Sequence, residues 1–415
     1  MSPGPGLMTG SLRVRNYRLF AGGQVVSLTG TWMQTVAQDW LVLDLSGNSA
    51  SALGVVIALQ FAPMLVFGLY SGVLADRVDK RRLLFVAQCS MALISLGMGL
   101  LVVGGAARLW HVYVLALLLG LTNVLDTPVR QAFVSELVGP DLLPNAVALN
   151  SATFNTARIT GPAVGGLVIA WLGVGPAFLL NAVSYLAVLA ALWRMDPAAL
   201  FRGARVARAG GQVREGLRYV WGRPDLMMVL VLMGVIGTIG MSFHLTLPLL
   251  ARAEFGVDAT AFGLLWTAFA VGALGGALVG TRRRSRPPAG QLLLFAGVFG
   301  ALEIAVAFAG SFAVAALLLV PTGAFLIGHN NAANARMQLG ADPLLRGRVM
   351  SLYMLVFLGG TTVGSLVVGA IAEAHGVRAA LVVGGSAVVL AAGGLAAVRA
   401  WRYRPAPVVV GAGRS

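Results

Sequence analysis

The sequence predicts an all-α membrane protein: twelve transmembrane helices in two pseudo-symmetric six-helix bundles. Three observations carry this. Apolar runs of spanning length recur along the whole chain, basic residues fall almost entirely in alternate gaps between them, and landmarks repeat at a fixed offset. The 415 residues are 58% apolar and only 11% charged. A soluble chain carries roughly 25% charged residues, so most of this surface must face lipid.

The runs lie at about 19–43, 52–75, 83–106, 109–134, 145–170, 174–195, 226–250, 261–281, 290–310, 313–337, 349–372 and 377–400. About 20 helical residues cross ~30 Å of hydrocarbon, and each run reaches that length. Short gaps make neighbouring helices antiparallel. One longer gap divides the chain into a first bundle at 1–195, a linker at 196–225, a second bundle at 226–400 and a tail at 401–415. Arg13, Arg15 and Arg18 precede the first run with no small-residue cleavage site after it, so no cleavable signal peptide is expected.

Net charge is +15, and Lys80 is the only lysine. In a soluble protein this balance would suggest nucleic acid. Here the arginines sit in short gaps, and no basic helix carries interleaved aromatics, so the charge is read as topology and no nucleic-acid partner is expected. The N-terminus, the even-numbered gaps and the tail hold 25 basic residues; the odd-numbered gaps hold Arg108, Arg252 and Arg378. That split predicts an even number of spans with both termini cytoplasmic, in a bacterial inner membrane. Gly120 and Gly323 are 203 residues apart, as are Gly173-Val174 and Gly376-Val377. Internal duplication of this kind is common in transporters. The lone Cys89 sits in an apolar run and forms neither a disulfide nor a cysteine cluster.

The second and third runs are joined by Gly72-Val-Leu-Ala-Asp76-Arg77-Val-Asp79-Lys80-Arg81-Arg82-Leu83. This resembles the Gly-x-Leu-Ala-Asp-Arg-x-Gly-Arg-Lys signature of the major facilitator superfamily. Asp79 departs from it where the signature has glycine. The resemblance implies a gating loop built on Gly72, Asp76, Arg77, Lys80 and Arg81, with Asp76 latching the halves on the cytoplasmic side. The fifth run holds Gly161-Pro162-Ala-Val-Gly165-Gly166. It resembles the core of the motif associated with antiporters in that superfamily, although upstream glycines of the extended pattern are missing. The resemblance implies an exporter; since proline removes a backbone donor and glycines permit close helix approach, a packing kink of the kind found in many membrane helices is the alternative. Gln38-Asp39-Trp40, Asp126-Thr-Pro-Val-Arg130 and Asn155-Thr-Ala-Arg158 resemble the bacterial exporter subfamily that includes the enterobactin exporter. The superfamily's arginine early in the fourth helix is missing, so no role tied to it carries over.

Polar residues also recur at helical spacing, which places them on single helix faces. Ser27, Thr31, Gln34 and Gln38 form one stripe; Asn123, Asp126 and Arg130 a second; Ser151, Asn155 and Arg158 a third; Asn330, Asn331, Asn334 and Gln338 a fourth. Thr238, Ser242 and Thr246 form a weaker one in the seventh run. Polar groups facing lipid are costly, so these faces should point inward. The resemblance implies that the first, fourth, seventh and tenth helices line a central cavity, with Gln34, Gln38, Asn123, Asn155, Asn330 and Asn334 as candidate lining. The candidate proton-coupling groups are Asp39, Asp126 and Arg158, with Asp126–Arg158 as a possible structural pair. Glu303 lies in the ninth run, peripheral in the family fold. His244 and His329 have no metal-ligand spacing, and neither metal nor cofactor is expected.

No Gly-x-x-x-x-Gly-Lys phosphate loop is present, nor a His-Glu-x-x-His or Gly-x-Ser-x-Gly site, so enzyme and ATP-driven readings are disfavoured. The expected activity is proton-driven export of a small amphipathic or hydrophobic molecule, such as a drug or siderophore, by a monomer in the bilayer. Uptake by a symporter or uniporter of the same fold, or a membrane sensor or scaffold that transports nothing, are the alternatives.

Overall fold

The computed structural model describes residues 10–201, 212–281, 286–342 and 345–402. The membrane helices are α1 (Arg15–Ser46), α2 (Ala50–Arg77), α3 (Lys80–Val103), α4 (109–138), α5 (140–172), α6 (Val174–Arg194), α7 (Pro224–Glu254), α8 (Ala259–Thr281), α9 (Ala289–Ala307), α10 (Phe312–Gly340), α11 (Arg346–His375) and α12 (Val377–Arg402). Among the described residues, ten helices are long and apolar enough to cross a membrane. The count reaches twelve for two reasons. One of the ten, Leu109–Leu172, is two spans joined at Gly139, whose φ of 70° ends the first helix before Pro140. And α1 is 32 residues long but falls short on apolarity because of its polar stripe. Inside the 196–225 gap the structure adds a short helix, Gln212–Trp221, that apolar runs alone do not signal.

The repeat offset has a structural counterpart. Gly173 (φ 90°, ψ 175°) and Gly376 (φ 85°, ψ 160°) make the same turn, between α5 and α6 and between α11 and α12. Each donates its N–H to the carbonyl four residues back, Ile169 or Ala372. Gly120 and Gly323 also match. A Cβ on Gly120 would lie 2.6 Å from Gln60 O, so α4 packs backbone-close on α2; one on Gly323 would lie 2.1 Å from Phe269 O, so α10 does the same on α8. The turn glycines occupy dihedrals open almost only to glycine. Gly173→Ala and Gly376→Ala are each expected to cost about 1–3 kcal/mol, read as lower thermostability of the purified protein.

Within the first half, α1 packs on α4, α5 and α6, and α3 on α6. Within the second, α8 packs on α10 and α9 on α12. Two seams join the halves: α2 against α11, and α5 against α8. In the first seam a Cβ on Gly54 would lie 2.4 Å from Ser365 O. In the second, one on Gly263 would lie 2.5 Å from Pro162 O, and one on Gly166 2.7 Å from Ala259 O.

These contacts lie toward the face opposite the one where α1 starts and α12 ends, hereafter the terminal face. Arg252 of α7 and Asp44 of α1 add an ion pair there at 2.5 Å, and Glu373 of α11 accepts from Ser49 Oγ and Ser51 N at 3.0 Å each. Toward the terminal face α1 stays packed on one side, with Tyr17 and Phe20 1% exposed, while Val25 and Val26, 49% exposed, lie on its other side.

The seventh helix departs from expectation. A regular stripe through Thr238, Ser242 and Thr246 needs a continuous helix, but α7 is interrupted. Ile236–Gly240 is a π-turn, Met241 (φ −98°, ψ 47°) leaves helical geometry, and the helix restarts at Phe243. The break carries no charge and no proline, so span-finding by hydropathy runs straight through it.

Candidate functional site

A cavity of about 370 Å³ lies between the halves. Its size suits a small organic molecule. The stripe on α1 forms one wall, with Ser27, Thr31, Gln34, Gln38 and Asp39. The stripe on α4 forms another, with Asn123, Asp126 and Arg130. Gln60 of α2, Gln88 of α3, Phe154 of α5 and Tyr185 of α6 add to the first-half contribution. His244, just past the α7 break, is the second half's contribution to the described wall.

The polar groups fall into three arrangements. Gln34 Oε1 accepts from Ser95 Oγ of α3 and, at 2.5 Å, from Asn181 Nδ2 of α6. Tyr185 OH lies 3.3 Å from Thr31 Oγ1. This network ties α1 to α3 and α6 and satisfies groups that lipid could not. The second arrangement centres on Asp126, which is buried. Gln88 Nε2 donates to its Oδ1 at 2.8 Å, Arg130 Nη2 lies 2.8 Å from its Oδ2, and Arg130 Nη1 donates to Gln24 Oε1 at 3.2 Å. The expected Asp126–Arg158 pair is not formed. Arg130 is one turn away on the same helix and takes the position, while Arg158 Nη2 donates to Asn155 Oδ1 at 2.9 Å within α5.

Asp39 is the third case. It is 3% exposed, lines the cavity, and its Oδ2 has no hydrogen-bond partner. Its neighbour Gln38 accepts from Gln60 Nε2 at 3.2 Å. A buried carboxylate lacking partners is far costlier than one that is paired. Asp39 and Asp126 therefore differ in kind, the first poised and the second held.

Aromatic rings cluster at the cavity wall around His244. Trp32 of α1 and Trp266 of α8 flank the His244 ring, with centroids 6.5 Å and 4.6 Å from it. Phe154 packs edge-on to Trp32 at 5.9 Å.

Other candidate residues fall elsewhere. Asn155, Asn330 and Asn334 do not line this cavity; Asn334 Oδ1 accepts from Gln338 Nε2 at 2.6 Å along its own helix. The Gly161-Pro162 segment keeps helical dihedrals and forms a three-helix junction. A Cβ on Gly161 would lie 2.4 Å from Trp32 Cβ and one on Gly165 3.0 Å from Met33 O, while Gly166 and Pro162 meet α8. In the signature loop, the side chains of Asp76 and Arg77 and the surroundings of Gly72 lie outside the described residues. Lys80 Nζ pairs with Glu136 Oε1 at 2.6 Å, and Arg81 Nε donates to Leu192 O at 2.7 Å. Asp79 caps α3, accepting from Arg82 N at 3.0 Å. Its φ of −60° suits any residue, which explains how this chain accommodates an acid where the signature has glycine.

Sequence reasoning missed Gln60, Gln88, Ser95, Asn181 and Tyr185. The signal available was that a single polar residue in an apolar span needs a partner on another helix.

Comparison with known proteins agrees with this architecture. A bacterial homologue of the human lysosomal transporter Spinster, solved inward-facing and unoccupied, superposes with a TM-score of 0.71 at 17% identity, covering 95% of this chain and 99% of that one. A D-xylose–proton symporter gives 0.71 at 13% identity, covering 94% and 98%. These show the shared fold. Among curated proteins, the multidrug efflux pump Tap of Mycolicibacterium fortuitum is 27% identical over 84% of this chain and 87% of its own length. The staphyloferrin A transporter of Staphylococcus aureus is 26% identical over 63% of this chain and 66% of its own length. The match to the transporter YfiS of Bacillus subtilis, 28% identical, spans 49% of either chain. The family model described as transmembrane secretion effector matches residues 9–404. With the fold of the major facilitator superfamily around a polar cavity, the chain belongs to the transmembrane secretion effector family.

Proposed function

We propose that this protein is a secondary active exporter that exchanges protons for a small amphipathic or hydrophobic molecule. The observation that carries the reading is the buried, partly unpartnered carboxyl of Asp39 on the wall of a molecule-sized cavity. An ionisable group there is expensive unless its charge is used. Protonation of Asp39 releases substrate to the outside, and deprotonation toward the cytoplasm resets the site. Asp126, already paired with Arg130, holds α3 and α4 in register around it.

The arginine distribution supports a terminal face on the cytoplasmic side of a bacterial inner membrane. The seams then close the outer end, which suits an inward-facing state. The export direction is supported by the three-helix junction at Gly161–Gly166 and by the relative named a multidrug efflux pump. The aromatic lining and the glutamines suit amphipathic molecules, as drugs and siderophores are. The two bundles, 1–195 and 226–400, rock about the seams as a single-chain unit.

Purified protein in proteoliposomes tests this. With the terminal face inward and a proton gradient directed inward, a lipophilic dye loaded inside should leave faster than in protein-free vesicles. Dye accumulation under that gradient would establish uptake, and no flux for dyes, drugs and siderophore-like compounds alike would favour the sensor or scaffold.

A further inference from the structure

Glu303 is used by none of the contacts described so far. It lies about one turn from the C-terminal end of α9 and is 0% exposed. Neither carboxyl oxygen has a hydrogen-bond partner. Its surroundings are tight: a Cβ on Gly384 of α12 would lie 3.0 Å from Glu303 Oε1 and 2.8 Å from Ile239 O of α7. A Cβ on Gly240 would lie 3.9 Å from Oε2. The carboxyl and the Ile239 carbonyl thus both border the space beside Gly384, at the turn where α7 breaks.

Titratable groups on the neighbouring elements are occupied elsewhere. On α12, Arg378 pairs with Glu254 at 2.6 Å. On α10, His329 Nδ1 bonds Leu292 O at 3.2 Å. On α7, His244 packs between Trp32 and Trp266. On α11, Tyr353 OH meets Met233 Sδ. An anionic carboxylate sealed among apolar side chains with no cation beside it is prohibitively costly. A neutral carboxyl with its proton shared to a backbone carbonyl is not. A metal ion would need several oxygens around it, and one carbonyl beside the carboxyl does not supply them.

We propose that Glu303 and the α7 break form a proton-binding site in the second half, distinct from Asp39, in which the protonated carboxyl donates to the Ile239 carbonyl. Binding adds one proton from water to the carboxylate, and release returns it; no other bond changes. The site bears on the seam through α7. A Cβ on Gly364 of α11 would lie 1.7 Å from Thr238 O, and α11 carries the seam with α2 at Ser365 and Gly54. Loss of the proton would drive the carboxylate away from the Ile239 carbonyl, shifting the broken turn against α11.

Infrared spectroscopy of the purified protein in lipid, at neutral pH and in sodium-free buffer, tests this without any flux measurement. The carbonyl-stretch band of a protonated carboxylic acid is expected in the wild type, lost in Glu303→Gln and retained in Asp39→Asn. Gly384→Ala, whose methyl crowds Oε1 and Ile239 O, should shift the band. Should the Gln variant fail to fold, Glu303→Asp, with its shorter arm, should shift it too. Absence of the band in the wild type, its persistence in Glu303→Gln, or its loss on adding sodium would overturn the proposal. Since Asp39 variants leave this band in place, failure here and failure of the Asp39 coupling reading are separately visible.

Discussion

Asp39→Asn should lower gradient-driven efflux at least about tenfold, the equivalent of ~1.4 kcal/mol on the rate-limiting barrier, while leaving gradient-independent substrate exchange near the wild-type rate. Asparagine keeps the shape of the side chain and removes its titration. Asp39 has an orphan oxygen and no ion pair among the described contacts, so its loss breaks no bridge between helices. The comparison with Asp126→Asn is informative. That change leaves the Gln88 bond possible but strips Arg130 of its carboxylate partner. Breaking one member of a largely buried pair destabilises the fold itself, so reduced thermostability and reduced exchange should appear together, and Arg130→Gln in the same chain should restore part of both. Efflux by Asp39→Asn with intact proton dependence would sink the coupling role of Asp39.

Gly272→Ala is expected to be among the most damaging single-methyl changes in the molecule. Its added Cβ would lie 1.7 Å from Val320 O. The obstacle is backbone, so no side chain can rotate away. Gly276 repeats the contact one turn later, with Ala324 O 2.2 Å from its would-be Cβ, and Gly323 returns it from α10. Without a hydrophobic force between helices in lipid, such backbone-close seams supply much of the association. Separating α8 from α10 to fit one methyl should cost about 1–3 kcal/mol, read as a lower midpoint of thermal unfolding in detergent. Gly275→Ala, whose Cβ meets open space on the same helix, is the matched control and should leave the midpoint unchanged.

Much of the fold was legible because its determinants are local. Hydropathy marks each span, and only a glycine tolerates the turn at Gly173 and Gly376. The site was legible in part. Stripes on α1 and α4 do line the cavity, since polar groups in a span have nowhere else to face. The same rule misplaced Asn330 and Asn334, because periodicity says that a face points inward but not what fills the space before it. The partner of Asp126 depended on whether the i+4 neighbour or a residue on the next helix lay nearer, which only coordinates decide. The α7 break was invisible to span-finding because Ile236–Ser242 carries no charge and no proline, although Gly237 and Gly240 lie within it.

The lopsided wall of the cavity has a consequence for how this protein would adapt. Nearly every lining group comes from the first 185 residues, and the second half contributes His244. Under the proposed function, recognition and leverage are thereby lodged in different parts of the gene. A population pressed by a new toxic compound could retune the first half while leaving the glycine-packed second half untouched. Serial selection for altered export should gather its substitutions upstream of the linker, with His244 as the outlier worth watching.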